Sequence, residues 1–357
     1  MKKVSKITAV VLALAMVFSV FSSALTADEM SGRLSNWLKS NVTVAAAQKK
    51  VDSQLDWTVF ALSRNGDKGM NEEYKTHIDA AVKASERLYL SDYARISLAA
   101  MAAGIDPADI GGKNLFKLIA DTKAADEVYT GGVAYALIAL QNAKTDYSEA
   151  AGKLKDVLLS AQRNDGGFNT FIKEDPANQW SIDSDIDSTG IVLQALAAYK
   201  GEDKVDQVIG KAIDYFKKNQ MDNAAFGGWG SVSAESTAMV ILALCELGID
   251  PAGKDFTKDG KTMIAALSDF VNSDGGGKCW DGSSAVLTSY QMLMALNSYK
   301  RFAEGKAGFF KLSRLAVLKD EIGKNELLQK IPFVTDLIIA VLNFIIPIFV
   351  SNYYSGN

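Results

Sequence analysis

The strongest constraint on this chain is a sixfold recurrence of an apolar helical segment, which emerges when segments are aligned on an alanine that is usually followed by leucine. The aligned positions are Ala61, Ala100, Ala139, Ala195, Ala243 and Ala295, separated by 39, 39, 56, 48 and 52 residues. Spacings of that size mark stacked helical units rather than one continuous bundle. Each aligned segment, such as GGVAYALIALQNA or SAESTAMVILALCELGIDP, is apolar around most of its circumference, as a helix buried on nearly all sides must be. Only five prolines occur, and no stretch alternates polar and apolar residues as strands do. The chain therefore reads as all-α.

Between the apolar segments lie helices with one charged face, including NEEYKTHIDAAVKASERL, DYSEAAGKLKDVLLSAQ and VDQVIGKAIDYFKKNQ. Such helices face solvent on one side. Six buried helices alternating with six amphipathic ones are most simply satisfied by two concentric rings, the buried helices inside. An open solenoid is the alternative, but its inner helices would be less uniformly apolar.

The N-terminus stands apart. Lys2, Lys3 and Lys6 precede the apolar run Ile7–Phe21 and the small residues Ser22, Ser23 and Ala24, the pattern of a secretory signal peptide cleaved after Ala24 or Ala27. Residues 1–27 hold three lysines and no acid, so their removal takes the formal charge from −4 to −7. That balance offers no basic stripe, and nucleic-acid binding is not expected. Two cysteines, Cys245 and Cys279, are too few for a disulfide framework.

Three turns between outer and inner helices repeat glycine pairs followed by an aromatic. They are QRNDGGF with Gln162, Gly166, Gly167 and Phe168, FGGWG with Gly227, Gly228 and Trp229, and GGGKCW with Gly275, Gly276, Gly277 and Trp280. Glycine allows the positive φ of a tight reversal, and the aromatic covers the freed backbone. Asp187 or Ser188, Ser233, and Ser283 or Ser284 then stand where caps of the next helices are expected.

These turns resemble degenerate forms of the Gln/Trp repeat of squalene and oxidosqualene cyclases, and DSDIDSTGIVLQALAAYK resembles the helix that carries the acidic motif of those enzymes. The region 28–302 is similar to the α6/α6 toroid of the terpenoid cyclase and protein prenyltransferase superfamily. Complement-like thioester domains and the cobalamin carriers share that toroid. A fold of this kind hosts unrelated functions, so each implied chemistry has its own residues to satisfy.

The cyclase resemblance implies an Asp-x-Asp-Asp motif that protonates an alkene. Here the stretch is Asp185-Ile186-Asp187-Ser188, one carboxyl short. Asp187 stands where the proton donor belongs, and Asp185 would raise its pKa by like-charge repulsion. The competing reading is that Asp183, Asp185 and Asp187 cap a helix and complement its dipole. The prenyltransferase resemblance implies an Asp, Cys and His zinc site, but the only histidine, His77, lies on an amphipathic outer helix, where a solvent-exposed or satisfied side chain is expected. The thioester resemblance implies a Gly-Cys-Gly-Glu-Gln run that neither ALCELG nor GKCWDG matches. A glycosidase would need two carboxylates across a cleft, and Asp185 or Asp187 with Glu235 or Asp281 offers such pairs. No metal or cofactor is expected.

The cobalamin-carrier resemblance implies a concave platform and needs no catalytic residue. We therefore expect an exported, non-catalytic domain binding a small hydrophobic ligand, a corrinoid, a glycan or a surface protein, with a class II cyclase using Asp187 as the alternative. The aromatics Trp57, Tyr93, Tyr129, Phe168, Trp180, Trp229, Trp280 and Tyr290, at inner-helix starts and turns, are the expected ligand-facing set. Their competing role is repeat packing.

Residues 303–357 depart from the repeat. An amphipathic stretch runs into Ile331–Val350, twenty residues that length alone would let span a bilayer. Asp336, Asn343, Pro347 and the absence of Lys or Arg in SNYYSGN oppose a stop-transfer helix. Lys311, Arg314, Lys319, Lys324 and Lys330 upstream could instead meet anionic headgroups, which makes membrane association at the outer face of the cell an open expectation.

Overall fold

The computed structural model describes residues 25–45, 49–228, 231–324, 335, 337–343 and 354. Twelve helices form the six expected pairs. The inner helices are α2 (Ser53–Arg64), α4 (Leu90–Ala102), α6 (Thr130–Gln141), α8 (Ile186–Leu196), α10 (Ala234–Glu246) and α12 (Val286–Ala303). Each packs on the next, and α12 packs on α2. That last contact closes the ring and excludes the solenoid. The outer helices are α1 (Ala27–Asn41), α3 (Asn71–Ala84), α5 (Leu115–Ala120), α7 (Ser148–Ser160), α9 (Asp203–Asn219) and α11 (Met263–Leu267). A further helix, α13 (Arg314–Lys324), follows the ring. The molecule is an α/α toroid.

All six aligned alanines are fully buried, because a small side chain lets neighbouring inner helices approach. Gly190 on α8 serves the same end: a Cβ there would lie 2.8 Å from the carbonyl oxygen of Met239 on α10. The outer helices bury one face only, as with Val205, Val208, Ile209, Ala212, Tyr215 and Phe216 of α9. Asp52 caps α2 by accepting from the amides of Gln54 and Leu55, and Thr26 with Glu29 forms a capping box on α1.

The turns obey the expected principle but not the expected alignment. In the first, the Arg163 amide donates to Gly167, the Gly166 amide donates to Arg163, and the Gln162 side chain spans Gly166 and Val208. The same bonds recur at Met221, Ala224 and Gln220, the last spanning Ala224 and Phe256. They recur again in the backbone at Asn272, Gly275 and Gly276. The equivalent of Gly166-Gly167-Phe168 is thus Ala224-Ala225-Phe226. Gly227 and Gly228 belong instead to a short hairpin of β1 (Phe226–Gly228) and β2 (Ser231–Ser233). A second hairpin pairs β3 (Gly277–Lys278) with β4 (Ser284–Ala285). The left-handed position is Gly166 (φ 91°), Ala224 (φ 67°) and Gly275 (φ 93°) in turn.

Two cap expectations are corrected. Asp185, not Asp187 or Ser188, caps α8, and the N-cap of α12 is Ala285, which has no side-chain acceptor, while the neighbouring Ser284 donates to Asp274. Ser233 does cap α10. His77 is not exposed; it is buried with Tyr74, Ile78, Ala81 and Val82 on the inner face of α3, since helical periodicity places it there.

The stretch from Ala307 to Ala316 is no peripheral tail. Arg64 donates to the Gly308 carbonyl, and Glu246 accepts from the amides of Phe309 and Phe310. Asn142 donates to the Phe310 carbonyl and accepts from the amides of Leu312 and Ser313. Arg64, Asn142 and Glu246 each lie three residues after an aligned alanine, at the C-terminal ends of α2, α6 and α10. Three alternate inner helices therefore grip one segment at their C-terminal ends, and the segment closes that mouth of the ring. Further on, Tyr354 is buried against Phe116. Residues 337–343 are helical, while most of Ile331–Val350 and the N-terminal stretch 1–24 lie outside the described residues. Among those described, no helix is long and apolar enough to cross a membrane.

Candidate functional site

At the opposite mouth the N-terminal ends of the inner helices converge. Arg95 of α4 donates to Asp56 of α2 at 2.8 Å and to Asp92 at 2.9 Å. Ser236 of α10 hydrogen-bonds the carboxylate of Asp187 on α8, and Glu235 of α10 accepts from Thr288 of α12. The repeat register orders these groups into tiers. Asp92, Asp187 and Glu235 stand eight residues before the aligned alanines, and Trp57, Ile96, Tyr135, Ile191, Met239 and Gln291 stand four before. An acidic tier lies above a largely aromatic and apolar one.

The aromatic tier bridges helices that are not neighbours. Trp57 of α2 meets Tyr135 of α6 with centroids 4.8 Å apart, and lies near-parallel to Tyr290 of α12 at 6.4 Å. Since α2 and α6 are separated by α4, their side chains meet within the ring. Below them the axis is filled. Phe310 stacks on Phe60 at 5.8 Å and reaches Tyr135 at 6.4 Å, and Phe309 crosses both Phe60 and Phe310 edge-on.

Asp187 is a buried, perturbed acid in this mouth. Burial raises its pKa, the Ser236 hydrogen bond opposes the rise, and the charges of Asp185 and Glu235 add to it, leaving the carboxyl at about 6. Its Oδ1 is enclosed and has no partner among the described residues. Asp185 behaves otherwise: Oδ1 accepts from the Ser188 amide at 2.6 Å and Oδ2 from the Thr170 amide at 3.1 Å. Asp281 lies in an exposed loop, where hydrogen bonds from Ser283 and Cys279 hold it at about 2. It shares nothing with the mouth.

The expected aromatic set divides. Trp57 and Tyr290 line the mouth. Phe168 does not face a ligand: it is fully buried and its amide donates to Thr189, because its turn folds it under α8. Tyr93 is partly buried against the core. Tyr129 (55% exposed), Trp180 (71%) and Trp280 (95%) sit on the outer rim ahead of α6, α8 and α12. Trp229 lies outside the described residues. Tyr135 was missed, although its place four residues before Ala139 matches that of Trp57 before Ala61; register was the signal.

A closed ring of six parallel inner helices inside six outer ones, with its acids and aromatics gathered at one mouth, defines an α/α toroid of the terpenoid-cyclase type. The family model for the squalene-hopene cyclase C-terminal domain matches residues 126–298, which run from the approach to α6 through most of α12, and the chain carries a squalene-cyclase-like repeat. Among solved structures, a glycosyl hydrolase family 88 protein from Bacteroides vulgatus is similar over 78% of this chain and 100% of that one, at 12% identity and a TM-score of 0.53. That likeness is one of fold. No curated protein matches the sequence.

Proposed function

We propose that this chain is a non-catalytic binding domain that takes a small ligand into the mouth framed by Asp187, Glu235, Trp57, Tyr135 and Tyr290. The observation that carries this reading is the filled axis. Phe60, Phe309 and Phe310 pack on one another beneath Tyr135, which argues against a bore running deep below Asp187, whereas folding a polyprene around a proton donor needs a deep apolar cavity. A mouth with polar edges and an aromatic floor suits reversible binding of a compact group. The test is a library of small cationic, anionic and neutral compounds, followed by the indole NMR signal of Trp57. A compound that shifts this signal in wild type but no longer binds Tyr290→Leu supports the site. If no compound of any charge shifts it, the mouth is not a binding site.

One observation favours the cyclase alternative: the Asp187 carboxyl near 6 with an unpartnered oxygen is the state a general acid requires. Incubation with squalene and polyprenyl diphosphates, with products examined by mass spectrometry, decides between them. A cyclised product made by wild type and lost in Asp187→Asn would replace the binding assignment with catalysis.

We place the domain outside the cytoplasm on the signal-like residues 1–27. Leu25 packs on the core and Thr26 caps α1, which favours cleavage after Ala24 over Ala27. N-terminal sequencing of protein recovered from the medium or the cell surface checks this. Association of residues 331–350 with the membrane is a further proposal, and deletion of 331–357 would then release the domain from the membrane fraction.

A further inference from the structure

We propose that the mouth recognises an organic ammonium cation, a quaternary or tertiary amine on a small apolar body, held over the Trp57, Tyr135 and Tyr290 floor and beside Asp187 and Glu235. The proposal rests on the mouth being the ligand site and adds the charge class of what enters it.

Charge is the first argument. The named groups of this mouth comprise five carboxyls, those of Asp56, Asp92, Asp185, Asp187 and Glu235, and one guanidinium, Arg95. Arg95 is occupied on both sides by Asp56 and Asp92. Asp185 is occupied by the amides of Ser188 and Thr170, and Glu235 accepts from Ser233 and Thr288. The enclosed Oδ1 of Asp187 has no partner among the described residues. An anionic ligand would meet uncompensated repulsion here, and a neutral apolar one would bury that carboxylate further with nothing to balance it.

The floor is the second, independent argument. The faces of Trp and Tyr carry negative electrostatic potential, and a cation within about 6 Å of such a face is attracted to it, most strongly by Trp. Trp57 and Tyr290 stack near-parallel with centroids 6.4 Å apart, and Tyr135 stands tilted against Trp57 at 4.8 Å, so three electron-rich rings gather at one place. Ammonium groups bearing alkyl substituents fit such a cluster because they are weakly hydrated and present apolar methyls, while a bare metal ion would need several oxygen ligands at fixed distance. Burial has already stripped water from Asp187 and left it near 6; a bound cation replaces that lost solvation.

The experiment is calorimetric titration of the full chain with choline, benzyltrimethylammonium and the uncharged isostere 3,3-dimethylbutan-1-ol, each at the same pH. The cations are expected to bind at least tenfold more tightly than the isostere. Asp187→Asn should weaken the cations about tenfold without weakening the isostere. Tyr290→Leu, and Trp57→Phe as the gentler variant at the second ring, should weaken both. Equal affinity for cation and isostere overturns the charge assignment while leaving the mouth as a binding site. Failure of both cations to bind a protein whose mouth does take an anionic or neutral library compound also overturns it. Failure of every compound, whatever its charge, overturns the binding reading itself.

Discussion

Asp185 and Asp187 stand two residues apart at the start of one helix and meet opposite surroundings: Asp185 Oδ1 accepts from the Ser188 amide at 2.6 Å, whereas the enclosed Oδ1 of Asp187 has no partner among the described residues. Cap and candidate functional acid are therefore separate residues, and substitution should separate them.

The pH dependence follows from the Asp187 shift. The carboxyl ionises near 3.8 when unfolded and about 6 when folded, so the folded protein holds more protons between those values. Stability contributed at this site falls as pH rises through that window, is lowest above 6, and is unpenalised below 3.8. Asp187→Asn is expected to raise unfolding free energy by on the order of 1–3 kcal/mol at pH 8 and to change little at pH 3.5. Asp185→Ala should instead lower it by about 0.5–2 kcal/mol at neutral pH through loss of the cap. Urea unfolding of both variants at the two pH values checks the pair; destabilisation by Asp187→Asn at pH 8 would return Asp187 to a structural role.

Ala224 occupies the left-handed backbone position that Gly166 and Gly275 hold in the equivalent turns. A Cβ in that region costs about 1–2 kcal/mol, partly offset by the greater entropy glycine loses on folding. Ala224→Gly is expected to stabilise the protein by about 0.5–1 kcal/mol, read as a higher urea midpoint at unchanged m-value.

Phe310 joins the closing segment to the mouth, touching Phe60 and Tyr135. Phe310→Ala should cost about 3–5 kcal/mol by opening a cavity on the axis. Deletion of residues 307–357 should abolish cooperative unfolding, whereas deletion of 331–357 removes peripheral contacts such as those of Tyr354 with Phe116 and Lys144 and should leave a folded ring. Thermal unfolding of the two truncations distinguishes a closing segment from a dispensable tail.

If the mouth binds ammonium, choline affinity should rise about tenfold between pH 5 and pH 8 as Asp187 ionises. The other charged or titratable groups about it are Asp185 at the cap of α8, Glu235 on α10 and Tyr135 on α6, while Arg95 on α4 acts on Tyr290. The rise should be absent in Asp187→Asn. A flat profile in wild type would mean that Asp187 does not face the ligand.

The ring was legible because packing repeats itself in sequence. Ala61 and its five equivalents each face a neighbouring helix at the same depth, and only a small residue fits there. Register held the signal for Tyr135 as well, since it stands where Trp57 does relative to the aligned alanine, but that signal was not read. The turns misled because glycine pairs are conspicuous and Ala224-Ala225 is not; what all three turns share is the pair of backbone bonds that closes them, and the first two add a glutamine bridge to a distant carbonyl that local patterning does not reveal. His77 misled because a polar residue on an amphipathic helix was assigned to the wet face. Residues 307–316 misled because their partners Arg64, Asn142 and Glu246 are distant in sequence.

Those three grips also set an order of assembly. During synthesis the N-terminal helices emerge first and can begin to pair, but the residues that fasten α2, α6 and α10 together are among the last to leave the ribosome. Contact between α1 and α12 likewise joins nearly the whole length of the chain, and such distant pairings form slowly. Until Phe309 and Phe310 arrive, the nascent ring has an apolar bore open at its base. A stalled or truncated chain would thus expose the greasy lining of its own axis, which the finished protein conceals with a segment made after every helix of the ring.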